Sequence, residues 1–131
     1  MNILEYIQEL ILEDDYLQSI ISDRIYFMKT TESSNTTKPF VLIRPISNDI
    51  STFVSDKYLS ETFFVQIDVQ SYKYNISLKI ANRIRKILWN NGLKRYGTDF
   101  NEYFEETKRY VLARKYIGIP KNKYYKGERV E

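Results

Sequence analysis

Asp68 lies between Gln66 and Gln70 in "ETFFVQIDVQSY" (61–72), and a carboxylate so placed is a candidate general base. General acid–base chemistry needs a second, complementary group, and this segment supplies no partner acid. Asp14 and Asp15 form a second acidic candidate, which reads first as a cap at a helix junction. Asp99, Glu102, Glu105 and Glu106 form a third. Their oxygens suit a hard cation, but they lack the glycine-turned, alternating spacing of a calcium loop, so a solvated acidic patch is the expectation. The cations Lys79, Arg83 and Lys86 follow i, i+4, i+7 spacing, with Arg85, Lys94 and Arg95 nearby. A basic helical stripe can track phosphates, and it can equally be the solvated side of an amphipathic helix. A net charge of +3 argues against strong nonspecific binding to nucleic acid.

Composition removes whole classes of chemistry. The 131 residues include no histidine and no cysteine, which excludes serine–histidine triads, cysteine–histidine pairs, imidazole or thiolate metal sites and disulfides. The chain has four glycines and no GxxxxGK[ST] or GxGxxG loop to cradle a phosphate. We therefore expect no enzyme, no catalytic residue, no cofactor and no metal. No basic-then-apolar leader opens the sequence, and no apolar run approaches the roughly 18 residues that span a bilayer. The expected setting is soluble and cytoplasmic, with no membrane partner. Twelve tyrosines and seven phenylalanines accompany one tryptophan. Tyrosine joins large contact area to a polar tip, which suits the rim of a core and an interface alike.

The elements that must position these residues follow from hydrophobic period. Ile3, Ile7, Leu10 and Ile11 make one helical stripe in 3–12, and Leu17, Ile20 and Ile21 share a face of a second short turn capped by Asp14. Residues 24–28 read as a short strand and 30–38 as a polar, mobile loop. The strand opening at Pro39 is apolar on both sides from Phe40 to Ile43, so it belongs inside a sheet, with pairing broken at Pro45. A polar stretch, 48–57, leads to a strand that can begin as early as Leu59. There Phe63, Val65, Ile67 and Val69 alternate with Phe64, Gln66, Asp68 and Gln70, the mark of a strand buried on one side. Residues 74–92 give the strongest helix signal, with Asn75 as the expected cap, Gly92 closing it, and Ile76, Ile80, Ile84, Ile87 and Leu88 inward. Residues 93–106 are mixed. Residues 107–119 read as the last strand, with helix the alternative for the first half.

The expected fold is α+β: about four strands, the three middle ones an antiparallel meander, with two helices packed on one face. The other face, carrying Gln66, Asp68 and Gln70, is left bare. Residues 1–119 form one domain, and 120–131 a flexible basic tail.

The run "SDRIYFM", then "KPFVLIRPIS", then "VQIDVQSY" leading directly into a helix with "IANRIRKIL", then a terminal strand, resembles the tail completion proteins of long-tailed bacteriophages. That group includes tail-to-head joining proteins and is similar in fold to the lambda-type tail terminator. The likeness spans about residues 3–119 and rests on the order of short motifs. Tyr72 stands where tryptophan is frequent in that family, and the tail after Pro120 has no counterpart. The resemblance implies a structural protein of the virion, at the head–tail interface and assembled in the host cytoplasm. It implies a hexameric ring that ends tail-tube polymerisation, meets the tail-tube protein and the head connector or head-completion protein, and lets DNA pass without holding it tightly. On that reading Gln66, Asp68 and Gln70 face a neighbouring subunit or the channel. The alternative is a small basic nucleic-acid-binding accessory protein using Lys79, Arg83 and Lys86.

Overall fold

Helical stripes and the alternation of β3 leave those elements with one apolar side, and one main core accepts them. The computed structural model describes residues 2–30, 34–46 and 62–120. Within these the elements run α1 (Ile3–Leu12), α2 (Asp15–Ile21), β1 (Ile25–Phe27), β2 (Phe40–Pro45), β3 (Phe63–Ser71), α3 (Tyr74–Asn90), β4 (Leu93–Phe104) and β5 (Arg109–Gly118). The fold is α+β, with five strands ordered β1-β2-β3-β5-β4 and three helices, against the four and two expected. The expected loop at 48–57, an early strand start at Leu59 and the tail after Pro120 fall outside the described residues, as does part of 30–38.

The core lies between the helices and one side of the sheet. Ile7 and Ile11 of α1, Leu17 and Ile21 of α2, and Ile80, Ile84 and Leu88 of α3 meet Val41, Ile43, Val65, Ile67, Val69 and Leu112. All are buried almost completely, each contributing about 2 kcal/mol of transfer free energy. Helix α1 packs on β2 with α2 beside it, and α3 covers β3, β5 and β4.

Three expectations are corrected. First, β1 pairs with β2 in parallel, Ile25 opposite Val41 and Phe27 opposite Ile43, rather than as part of a meander. The twelve residues 28–39 are long enough for the chain to return in the same direction. Arg24 fixes the return: its Nε donates to the Pro39 carbonyl at 2.9 Å and its Nη2 to the Ile20 carbonyl at 2.6 Å. Tyr26 adds a hydroxyl contact to the Asn35 backbone. Pro45 ends β2, and the donor it lacks would face β1, which has already stopped at Phe27. Second, the mixed segment 93–104 is the long edge strand β4, joined to β5 by the turn 105–108. It is nearly all exposed beyond Leu93, so no alternating burial marked it. Third, Asn75 does not cap α3. The N-cap is Lys73, with no side-chain bond, and Ser71 holds the turn instead. The Ser71 hydroxyl accepts from the Lys73 amide at 3.2 Å and lies 2.6 Å from the Ser77 hydroxyl.

Asp14 does cap α2, its Oδ2 accepting from the Leu17 amide at 3.0 Å. Its Oδ1 also accepts from Arg83 on α3, from Nε at 2.9 Å and Nη2 at 2.6 Å. The Arg83 guanidinium, together with the Leu17 amide, holds the Asp14 carboxyl below its ordinary value. A carboxylate with a lowered folded-state value contributes stability that is complete above the ordinary range and is lost as pH falls through the lowered value. Acid titration of wild-type unfolding should therefore show a loss beginning below about pH 4 that is smaller in Asp14→Asn. In neutral buffer Asp14→Ala should lose about 1 kcal/mol from the cap alone.

Candidate functional site: the open face of the sheet

Cross-strand register assembles the face opposite the helices. Phe40, Gln70, Val111 and Glu102 form one row; Leu42, Asp68, Ala113 and Phe100 the next; Arg44, Gln66, Lys115 and Tyr96 a third. No helix among the described residues packs here, because the buried residues of all three belong to the cluster on the other side. The expected row Gln66, Asp68 and Gln70 is brought together on this face. Cations from neighbouring strands join it.

Those cations set the electrostatics. The Arg44 Nη2 donates to Asp68 Oδ2 at 2.8 Å, and the Gln66 Nε2 donates to Asp68 Oδ1 at 2.9 Å. Asp68 is only 5% exposed although it lies on the uncovered side. Both of its oxygens are engaged, one by Arg44 and one by Gln66, so the carboxylate is paired and held in place. Gln70 accepts from Arg109 Nε at 3.1 Å, and the same guanidinium sits 5.4 Å from the centre of the Phe40 ring. Phe40 is also 5.7 Å from Tyr26 and is 1% exposed, a small second core on the open side. The β4–β5 hairpin walls a groove over Arg44, Gln66, Asp68, Gln70 and Arg109, with Phe100 and Phe104 at its rim. Both rim aromatics are exposed.

The other candidates are dispersed. Asp99 is ion-paired with Arg95 and lies 3.6 Å from the Arg114 Nε, so it bridges two guanidiniums on the helix side of β4. Burial pushes the neighbouring Tyr116 hydroxyl up to about 12, against the lowering effect of Arg114, Arg95 and Arg85. Glu102, Glu105 and Glu106 are exposed. Among the described residues no three acidic groups converge to hold a metal. Lys79 and Lys86 project outward, but Arg83 is held by Asp14, so the basic stripe lacks its middle member. No helix is long and apolar enough to cross a membrane.

The sequence reading missed Arg44, Arg109, Phe40 and Phe100 as members of this face. Only the pairing of strands distant in the chain places them there, although the alternation of β2 and β5 with β3 would have assigned them once the register was known. No protein-family model matches this sequence, and no curated protein matches it.

Proposed function

We propose that the protein is a structural subunit of a long-tailed bacteriophage that forms a ring, closes the tail tube and joins the tail to the head. One observation carries this reading: the sheet has a bare, aromatic-rimmed face whose central polar side chains, Gln66, Asp68 and Gln70, are already bonded to one another or to Arg44 and Arg109. An active site keeps reactive groups available, whereas Asp68 and Gln70 are tied to Arg44 and Arg109. Such a face stays soluble in a free subunit and can be covered on assembly with its buried carboxylate, Asp68, already paired. Gln66, Asp68 and Gln70 would then look towards a neighbouring subunit or the ring channel, and DNA would pass without tight contact. The nucleic-acid-binding alternative is weakened because Arg83, central to its basic stripe, is committed to Asp14.

Light scattering after size exclusion tests the proposal. The expected mass is that of six copies of the 15.8 kDa chain, reached alone or on adding the tail-tube protein, with rings visible by electron microscopy. A single-chain mass in both mixtures overturns it.

A further inference from the structure

Charge is sorted along this chain far more than its modest net value suggests. Residues 2–23 carry six carboxylates and no lysine or arginine, whereas residues 69–98 carry seven cations and no carboxylate. Asp14 and Arg83 cancel each other, which leaves five against six. The fold puts these two populations over different strands of the sheet: α1 over β2 with α2 beside it, and α3 over β3, β5 and β4. Glu5 and Glu9 of α1 and Glu13 at its C-cap recur every four residues and are exposed.

The basic side also has an apolar anchor. Trp89 is the only tryptophan and is 64% exposed, the largest value among the exposed large hydrophobic side chains. It borders two adjoining depressions, one lined with Asn82, Arg85 and Lys86, the other with Leu93, Lys94 and Ile117. A tryptophan flanked by arginine and lysine is the composition of an interface hot spot, since the ring supplies contact area and the cations select the partner.

We propose that this Trp89-centred flank of α3 and β4 binds the acidic α1–α2 edge of a second copy of the chain. The evidence for that occupant is charge complementarity: residues 2–23, which hold α1 and α2, are the longest described stretch with carboxylates and no cation, longer than the 99–107 run of β4 and its turn. Because the two surfaces are different, the contact is head-to-tail. Contacts of this type repeat, and they close into a ring when the rotation per subunit allows. The inference rests on the ring reading above and assigns its subunit contact, which leaves the open sheet face free for the channel or for an adjoining virion component.

A charge-swap experiment tests it, run where the wild type assembles, alone or with tail-tube protein. One variant carries Arg85→Glu and Lys86→Glu; the other carries Glu5→Lys and Glu13→Lys. All four positions are exposed. Each variant alone should run as a single chain by light scattering, and an equimolar mixture should regain the wild-type mass, because each altered surface then meets its complement on the other variant. Trp89→Ala should weaken assembly at least tenfold. Variants that assemble like the wild type overturn the inference and leave the ring reading to another surface. Dispersal without recovery on mixing also overturns it, since the flank then binds something other than α1–α2. A wild type that never leaves the single-chain mass removes both readings. Loss of binding to a labelled single-stranded oligonucleotide by the first variant, with its assembly intact, assigns the flank to phosphate and overturns the second-copy contact.

Discussion

Gly118→Ala should destabilise the protein by about 3 kcal/mol in urea unfolding followed by circular dichroism, close to the upper end for an overpacked site. Gly118 ends β5 where that strand lies between Phe63 of β3 and Leu93 of β4. A Cβ added there would fall on the Gly92 carbonyl oxygen and come within 3.0 Å of the Leu93 Cα. Both obstacles are backbone, so no side chain can swing away. Gly92 is itself held at φ 94° in the turn that carries α3 into β4. Relief would have to lift that turn from β5 and pull the fully buried Leu93 with it. Gly97→Ala provides the contrast. Gly97 has φ 73° in the β4 irregularity, but its added Cβ would meet only the Lys115 side chain at 3.8 Å. Its cost should be the left-handed backbone alone, about 1 kcal/mol. Equal losses for the two variants would show that the close approach at Gly118 is not what matters.

Phe40→Ala should cost about 3 kcal/mol, the low end for removing a buried phenylalanine. The low end applies because Phe40 lies on the open side, where Tyr26 and Arg109 can partly collapse into the space. The ring is 1% exposed, yet it stands apart from the cluster beneath the helices. Its removal also takes away the surface on which the Arg109 guanidinium rests while Arg109 Nε holds Gln70. Phe40→Leu, which keeps most of the volume, should lose about 1 kcal/mol. The same urea titration measures both. A loss below about 1 kcal/mol for Phe40→Ala would mean that the open face is not packed as described, and the ordering of the Gln66–Asp68–Gln70 row would lose its support.

Much of the fold was legible because the relevant signals are local. Val65, Ile67 and Val69 alternate with Gln66, Asp68 and Gln70, and period two needs nothing beyond neighbouring residues. The stripe Ile80, Ile84 and Leu88 announced α3 in the same way, and Asp14 announced the cap of α2. Strand β4 was illegible because most of it overhangs the helix layer, so exposure erased the pattern that burial writes elsewhere. The parallel pairing of β1 was illegible because it depends on Arg24 grasping a carbonyl fifteen residues away.

By itself, then, the sequence determined the inventory: an α+β set of one-sided elements, a strand with a polar outer row, and a chain without imidazole or thiol chemistry. These follow from residue type and short-range period, which survive in one dimension. Tertiary structure alone decided who meets whom. It gave Asp68 to Arg44, Gln70 to Arg109 and Arg83 to Asp14, and so tied a candidate base and one member of the basic stripe to partners within the chain. Those pairings join residues 24, 39 and 69 positions apart, and contacts at such separations are set by strand order and helix packing, which no local periodicity encodes.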